Sequence, residues 1–356
     1  MDANLAKRAM KEGTPFIDGE QVTFYWHGST PPRLMGDFCD WEDGVVAMQP
    51  LGRGHWGYTL TLPPEAYMEY AFIQGEQRLA DPFNPRRTPN GMGKTNHYFY
   101  MPDGKPTSLT HKRRSLPAGT LTRHAVLCQG MLRGKQRTVY LYRPPSAGPL
   151  PLLVVWDGRD YLRRARLPAM LENLLDQGRI QPVALAMIEN GGEARWREYQ
   201  CSESTLVFLL SEVLPLASAE LDLLDPAQNP GAYGVLGASM GGLMAMYTGL
   251  RLPNLFGHIL SQSGAFSLHE GWRELAMELP GAFGWQGQQI WMDIGLYDMP
   301  SLLRGNRQMH ALLLENGFDV AYREYPAGHN YPAWRDDLWR GLEYLFPPAA
   351  EETRHD

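Results

Sequence analysis

The chain has 356 residues, of which 44% are hydrophobic, 20% charged and 11% aromatic. This composition is typical of folded globular proteins and excludes disordered, collagen-like and coiled-coil chains. The length predicts two domains, each large enough to bury a core. The 33 cationic and 39 anionic side chains give a net charge of −6. Since no basic excess is available to bind phosphates, we expect no nucleic-acid partner.

The cysteines and the apolar runs bear on the cellular compartment. Cys39, Cys128 and Cys201 are odd in number and form no CxxC pair, a pattern that fits neither a disulfide framework nor a clustered zinc site. Met1–Gly13 is polar and lacks the apolar run of a secretory signal. Every apolar stretch is far shorter than the roughly 20 residues that span a bilayer. We therefore expect a cytoplasmic protein with no bound metal and no membrane partner.

The first part of the chain, from Gln21 to Met101, contains short alternating apolar and polar runs separated by turn residues. The clearest of these runs are Val22–Trp26, Gly54–Leu62 and Tyr67–Ile73. Such runs predict an antiparallel, immunoglobulin-like β-sandwich. The following segment, 81–91, is so rich in proline that it excludes a helix and a central strand.

A change of composition marks the boundary between two predicted domains. The stretch 103–121 combines prolines and glycines with the basic run Lys112-Arg113-Arg114 and has little apolar periodicity. We predict a sandwich domain over residues 1–105, a linker over 106–120 and a second domain over 121–356.

After the linker, β-rich apolar runs alternate with helical stretches. The runs include Arg137–Tyr142 and Leu152–Trp156, and the predicted helices are Leu167–Gln177, Ser204–Leu221, Leu243–Arg251 and Leu302–Asn316. This alternation predicts a mostly parallel, doubly wound sheet with helices on both faces.

The motif Gly237-Ala238-Ser239-Met240-Gly241 carries the strongest chemical signal. It lies between a short apolar strand and a helical run, which is the context of a G-x-S-x-G nucleophile elbow. The small residues allow a strained turn that projects Ser239. A serine hydroxyl needs a nearby base to become an effective nucleophile, so a histidine is expected within hydrogen-bond reach.

His329 is the predicted base because it follows the last predicted strand, Ala321–Tyr325, in a loop. In this fold the catalytic residues occur in the order serine, acid, histidine. The histidines downstream of Ser239 are His258, His269, His310, His329 and His355. We place His258 between a helix and a strand, His310 inside a helix, His269 in an insertion and His355 in the terminal tail.

Asp298 is the predicted acid. It lies just beyond the strand Gln289–Ile294, whereas Asp293 lies inside that strand. Its role would be to orient the imidazole and stabilise the imidazolium.

The oxyanion of an acyl-transfer intermediate requires preorganised N–H donors. The backbone N–H of Met240, directly after the nucleophile, is the first candidate. The loop after Leu152–Trp156 would supply the second, from Arg159 or Gly158; a plain strand-to-helix turn is the other interpretation of that loop.

The region from Gly119 to Phe346 resembles the enterochelin esterase family of α/β hydrolases and, more broadly, esterase D and feruloyl esterases. The likeness is carried by Arg137–Pro144, Leu152–Gly158, Arg195–Tyr199, Gly237–Gly242 and Gly328-His329. It implies that Ser239, Asp298 and His329 form a catalytic triad. It also implies that Arg195 and Glu198 flank the substrate, where the arginine could meet an anionic group; an exposed Arg–Glu pair is the alternative.

The N-terminal region resembles early-set sandwiches of the carbohydrate-binding-module 48 type. The stretches concerned are Gly36–Trp41, Trp56, Tyr67–Phe72 and Asp81–Asn84. The resemblance implies glycan binding through exposed tryptophans. Packing of Trp26 and Trp56 in the core is the interpretation we prefer.

Together these features predict a serine esterase that needs no cofactor and acts on a small-molecule ester of siderophore or related hydroxy-acid type. A carbohydrate-linked acyl esterase, guided by a glycan-binding sandwich, is the alternative. A glycan-binding protein with an inactive hydrolase domain is a third hypothesis. The oligomeric state stays open.

Overall fold

A computed structural model describes residues 2–91, 93–267 and 270–348 of the chain. These residues form two compact units. The first contains the described residues up to Pro106 together with Gly295–Pro300 and Glu324–Ala333. The second contains the described residues of Thr107–Ile294, of Ser301–Arg323 and from Trp334 onward.

The first 106 residues contain one helix followed by short strands. In chain order the elements are α1 (Asp2–Glu12), β1 (Phe16–Asp18), β2 (Gln21–His27), β3 (Arg33–Gly36), β4 (Val46–Ala47), β5 (Gln49–Gly52), β6 (His55–Thr61), β7 (Tyr67–Gln74), β8 (Gln77–Leu79), β9 (Arg87–Pro89) and β10 (Thr95–Tyr100). Two short 3-10 turns, Asp37–Cys39 and Trp41–Gly44, follow β3.

These strands form two antiparallel sheets, as the alternating pattern predicts. One sheet has the order β1-β2-β6-β5 and the other β4-β3-β7-β10-β9, with β8 beside β7. The segment 81–91 contributes only the edge strand β9, which agrees with its high proline content.

The sandwich core is aromatic and lies between the two sheets. Phe24 of β2, Tyr70 and Phe72 of β7 and Phe99 of β10 have no solvent exposure. Phe24 meets Tyr70 edge-to-face with ring centroids 4.9 Å apart, a favourable aromatic geometry. Partly buried tryptophans, Trp26 and Trp56, pack against this cluster, which confirms the preferred core-packing interpretation.

The rest of the chain alternates strands and helices. In order, the elements are β11 (Thr120–Leu127), β12 (Gln136–Arg143), β13 (Leu152–Trp156), α2 (Gly158–Arg163), α3 (Leu167–Asp176), β14 (Ala184–Ile188), α4 (Arg195–Glu198), α5 (Glu203–Phe208), α6 (Leu214–Glu220), β15 (Tyr233–Ala238), α7 (Met240–Arg251), β16 (Phe256–Gln262), α8 (Glu270–Phe283), β17 (Gln289–Gly295), α9 (Pro300–Glu315), β18 (Asp319–Tyr325) and α10 (Tyr331–Leu345). A π-helical turn, Leu209–Val213, joins α5 to α6.

Eight of these strands form one sheet with the order β11-β12-β14-β13-β15-β16-β17-β18. The pairs that join β14, β13, β15, β16 and β17 are parallel. The strand β12 pairs antiparallel with β11 on one side and with β14 on the other. Every residue of β13 and β15 is buried. Continuous burial is the expected pattern for parallel strands covered on both faces.

The last two strands end side by side, and their loops continue together. Leu296 N–H donates to the Tyr325 carbonyl at 2.8 Å, and Tyr297 N–H donates to the Ala327 carbonyl at 3.0 Å. Both residue numbers rise together, so the two segments run in parallel. The loops that carry Asp298 and His329 therefore leave the sheet at the carboxyl ends of adjacent strands.

One sequence prediction needs correction in detail, and one strand was not predicted. His258 lies inside β16 and not ahead of it. The strand β11 begins at Thr120, at the end of the predicted linker. Most of its side chains are exposed, and such a strand lacks the apolar alternation that marks a half-buried one.

Among the described residues, no single helix has the length and apolar character needed to cross a membrane. Two helical segments, Gly192–Glu198 and Glu203–Glu220, meet the length and composition criteria only when taken together, and they are bent by 106°.

The centre of the parallel sheet predicts a large effect for a single core truncation. Leu236 of β15 is fully buried, whereas Leu314 of α9 is 54% exposed. We expect Leu236→Ala to lower the free energy of unfolding by about 2–5 kcal/mol because it leaves a cavity. Leu314→Ala, the matched control, should change it by less than about 0.5 kcal/mol. Urea denaturation measures both, and equal midpoints for the two variants would contradict the assignment of this core.

Candidate active site

Ser239 occupies the sharp turn between β15 and α7. Its backbone has φ 57° and ψ −122°, a region that non-glycine residues avoid. Backbone hydrogen bonds hold it there: its N–H donates to the Gln262 carbonyl at 2.9 Å, and its carbonyl accepts from Ala265 N–H at 3.0 Å. Ser239 is half-buried between buried neighbours. The predicted strand–turn–helix context is therefore present.

Gly237 shows why this turn needs small residues. A Cβ atom at Gly237 would lie only 2.1 Å from the carbonyl oxygen of Gly241. Any side chain there would force the strand and the helix apart and displace Ser239.

Backbone donors are available close to the nucleophile and after the neighbouring strand. Met240 is the first residue of α7, and Gly158 and Arg159 are the first two of α2. The N–H groups in the first turn of a helix have no acceptor within that helix. Asp157, just before α2, has a left-handed φ of 56°, which turns the chain at the end of β13. Which N–H binds the oxyanion stays a prediction.

Arg195 links the ends of β13 and β15. Its Nε and Nη2 donate to the two oxygens of Asp157 at 2.7 and 2.6 Å. Nη2 also donates to the carbonyl of Ala238, at 3.2 Å, directly before the nucleophile. Asn190 Nδ2 donates a further hydrogen bond to Asp157, at 2.6 Å. The arginine thus supports the elbow itself, and its predicted contact with substrate stays a prediction.

Glu198 has a structural position that the sequence interpretation missed. The residue is 6% exposed, and its two oxygens accept from Nη1 and Nη2 of Arg137 at 2.9 and 2.8 Å. Arg133 N–H donates to the same carboxylate at 3.2 Å. The carboxylate is thus buried and paired within the chain, and its predicted place beside the substrate stays a prediction.

The first unit contains the predicted acid and the predicted base as a hydrogen-bonded pair. His329 Nδ1 lies 2.9 Å from each carboxylate oxygen of Asp298. Because a carboxylate accepts hydrogen bonds, Nδ1 carries the proton and Nε2 is left as the acceptor. Asp298 also accepts from Met299 N–H at 2.7 Å. Its side chain is fully buried, whereas that of His329 is 23% exposed.

The other candidate acid and bases have different surroundings. Burial raises the pKa of Asp293 to about 8, and its oxygens accept from Gln262 and Trp291. His310 stacks on Tyr322 with ring centroids 4.5 Å apart. Burial lowers the pKa of His258 to about 4. His269 and His355 lie outside the described residues.

Two functional neighbours were not singled out from the sequence. Asp157 was treated only as part of a loop, although it is 1% exposed and holds Arg195. Asn330, next to the base, accepts from Ala333 N–H at 3.0 Å through its Oδ1. An Asn three residues ahead of a helical N–H is a known signal for the start of a helix. The contact between Asn330 and Ala333 could therefore have been predicted from the sequence.

The doubly wound sheet, with a strained serine after its central strand and a histidine–carboxylate pair on later loops, defines the α/β-hydrolase class. A family model described as "Putative esterase" matches residues 131–345. The chain belongs to this family and is a carboxylic ester hydrolase.

Relatives with assigned activities agree with this placement. The iron(III) enterobactin esterase of Escherichia coli K12 is 27% identical over 282 residues, covering 76% of this chain and 68% of the relative. The iron(III) salmochelin esterase of Escherichia coli O6:H1 is 26% identical over 366 residues, covering 92% of this chain and 88% of the relative. The resemblance to enterochelin esterases that the sequence motifs predicted is confirmed.

Solved structures confirm the predicted fold class. The enterobactin esterase of Shigella flexneri, crystallised in the presence of enterobactin, superposes with a TM-score of 0.76 at 22% identity, covering 93% of this chain and 94% of that one. A ferulic acid esterase superposes with a TM-score of 0.56 at 16% identity, covering 64% and 98%.

The buried ion pair beneath α4 generates a stability prediction. Arg137 and Glu198 have side chains only 5% and 7% exposed, whereas Arg251 and Glu203 are 37% and 59% exposed. We expect Arg137→Met to lower the unfolding free energy by about 3–5 kcal/mol because it leaves a buried charge unpaired. Arg251→Met should cost less than about 1 kcal/mol. Chemical denaturation at neutral pH compares them, and similar losses would show that Glu198 does not depend on Arg137.

His258 generates a pH prediction. Burial lowers its pKa from 6.5 to about 4, and its ring packs against Phe346. As pH falls from 6.5 towards 4, the unfolded chain takes up a proton that the folded chain refuses, so stability is lost in that window. His258→Gln should remove about 2 kcal/mol of the loss between pH 7 and 4.5.

The matched control for this measurement is the exposed His111. Unfolding free energies of the parent, His258→Gln and His111→Gln are compared at both pH values. An unchanged pH dependence in His258→Gln would show that other groups cause the acid loss.

Proposed function

We propose that this protein is a serine esterase that hydrolyses siderophore esters of the catecholate, hydroxy-acid type, with Ser239, His329 and Asp298 as its catalytic triad. The observation that carries the proposal is the nucleophile elbow, in which Ser239 holds φ 57° directly after a buried parallel strand. The hydrogen-bonded pair of Asp298 and His329, on later loops in the required chain order, supports it.

Acylation follows from the chemistry of these groups. His329 Nε2 removes the proton of the Ser239 hydroxyl as Oγ attacks the ester carbonyl carbon. The tetrahedral oxyanion accepts hydrogen bonds from backbone N–H groups, with Met240 and either Arg159 or Gly158 as the proposed donors. The imidazolium then gives its proton to the departing alcohol oxygen, and the acyl group remains on Ser239.

Deacylation reverses these roles with water. His329 removes a proton from water, the hydroxide attacks the acyl carbon, and the proton returns to Ser239 Oγ as the carboxylic acid leaves. Asp298 keeps the imidazole in the tautomer that both steps need. The cycle uses only groups of the chain itself, and iron would enter only as part of the substrate.

The choice of substrate rests on the curated relatives. Proteins named for the hydrolysis of iron(III) enterobactin and of iron(III) salmochelin align with most of this chain. The alignment with the salmochelin esterase extends through the region of the sandwich, so the likeness is not limited to the catalytic fold.

A second candidate is an esterase for acyl groups linked to carbohydrate. The fold of a ferulic acid esterase, matched over 98% of that chain, favours this alternative, and glycan binding by the sandwich would assist it. Since that likeness concerns the fold alone, we rank the siderophore ester first.

The three cysteines are free, which fits the reducing cytoplasm as the proposed compartment.

A panel of three substrates tests the proposal: a p-nitrophenyl ester, a catecholate trilactone and methyl ferulate. We expect the trilactone to have the highest kcat/KM. Ser239→Ala and His329→Ala should each lower kcat by more than about a thousandfold, and the double variant should be scarcely worse, because the triad acts as a unit. Asp298→Asn should retain more activity, because the nucleophile and the base both remain.

Ser211→Ala is the matched control, since Ser211 is exposed on the π-helical turn. Retention of more than about a tenth of kcat/KM by His329→Ala would remove His329 from the role of base. Faster turnover of methyl ferulate than of the trilactone would favour the carbohydrate ester.

A further inference from the structure

The loop that carries His329 is anchored on both sides within the first unit. On one side, Tyr297 N–H donates to the Ala327 carbonyl at 3.0 Å. On the other side, Tyr67 N–H, at the start of β7, donates to the Pro326 carbonyl at 3.1 Å. The second contact comes from a residue of the sandwich, far away in sequence.

Asp37, in the 3-10 turn after β3, approaches the same loop with its carboxyl group. The residue is 4% exposed. Its Oδ2 accepts from Glu69 N–H at 2.7 Å and lies 3.4 Å from Asn330 Nδ2, while its Oδ1 accepts from Trp41 Nε1 at 3.0 Å. Asn330 is adjacent to His329, so the carboxyl of Asp37 reaches the residue that follows the base.

Gly328, directly before His329, packs against the same carboxyl. A Cβ atom at Gly328 would lie 2.2 Å from both Cγ and Oδ1 of Asp37. Asp37 therefore contacts the backbone before His329 and the side chain after it. Gly328 and Asn330, which flank His329, therefore both contact the buried side chain of Asp37.

The turn that presents Asp37 is strained. Asp40 and Trp41 have left-handed φ values of 56° and 53°, and such consecutive non-glycine residues persist only where their surroundings fix them. The hydrogen bond from the Trp41 ring to Asp37 is one such constraint. The strain and the buried carboxyl thus belong to one local structure.

The carboxyl of Asp37 faces other acids. Burial raises its pKa well above the usual range, and the nearby charges of Glu69 and Asp298 raise it further. Glu69 accepts from Tyr67 and Asn96, and Asp298 is paired with His329. A buried acid beside two other acids is costly for folding. The burial of Asp37 in this place therefore lowers the stability of the fold.

We propose that Asp37 is a positioning residue for the catalytic base: it fixes the backbone on both sides of His329, so that the imidazole stays aligned with Asp298. This inference rests on the proposed function of His329 and adds a role in catalysis for the sandwich sequence. Asp37 acts through Gly328 and Asn330 and does not touch the substrate.

The test compares Asp37→Ala and Asp37→Asn with Asp81→Ala. Asp81 is an equally buried carboxyl of the sandwich, 2% exposed, and it accepts from Thr14 and Tyr70. We expect Asp37→Ala to lower kcat for a p-nitrophenyl ester by about tenfold or more, since small misplacements of a catalytic group are costly. KM should change by less than about twofold.

Asp37→Asn, which keeps the size of the side chain and one acceptor, should recover part of kcat. Asp81→Ala should lower the melting temperature as Asp37→Ala does but keep the parent kcat. Parent-like kcat in Asp37→Ala, or an equal loss of kcat in Asp81→Ala, would overturn the proposal. If the alanine variant does not fold, the asparagine variant is compared with the parent and Asp81→Asn in the same way.

A second measurement separates this inference from the proposed function. In protein labelled with ¹⁵N-histidine, the Nδ1–H of His329 should give a low-field resonance because it donates to Asp298. Asp37→Ala should broaden or abolish this resonance, and Asp81→Ala should preserve it. If the parent hydrolyses no ester, the proposed function fails while this resonance still decides the role of Asp37; its persistence in Asp37→Ala would refute that role.

Discussion

The backbone of Ser239 is the constraint on which the catalytic region depends. A non-glycine residue at φ 57° and ψ −122° costs about 1–3 kcal/mol, and its surroundings must hold it there. Here β15 and α7 provide that support, since every residue of the strand and all but the last of the helix are buried. The same turn exposes the N–H groups of the first helical turn beside the serine. A strained serine and unpaired N–H groups at the start of the helix are thus consequences of one piece of local geometry.

Buried carboxylates connect separate segments within each unit. Asp157, Glu198 and Asp298 each meet a basic side chain from another segment: Arg195, Arg137 and His329. Removing a charge from water is costly unless hydrogen bonds replace the lost solvation. Each pair therefore fixes the relative position of two segments that the sheet alone would leave free. Arg195 and Glu198, which the sequence motif predicts beside the substrate, each take part in one of these pairs.

Local patterns predicted much of the architecture and the positions of the candidate site residues within it. The strand Leu152–Trp156 has the predicted ends, because its continuous apolar run admits few alternatives, and the serine, the histidine and Asp298 follow from their positions after strands. Contacts between distant residues could not be predicted: Arg137 and Glu198 are 61 residues apart, and Asp37 and Asn330 are 293 apart. The strand β11 was also missed, since its exposed side chains carry no alternating signal.

The first unit is discontinuous along the chain, and this has a consequence for how the protein forms. Tyr67 of β7 packs with Tyr325, Ala327 and Ala333 in one buried cluster, joined by Tyr98 and Tyr100. Of these partners, Tyr325, Ala327 and Ala333 are synthesised more than two hundred residues after β7. During synthesis, the surface formed by Tyr67, Tyr98 and Tyr100 therefore stays without these partners until nearly the whole chain has emerged from the ribosome. Contacts of such long sequence separation slow folding. The first unit is therefore completed late, although its strands are synthesised first.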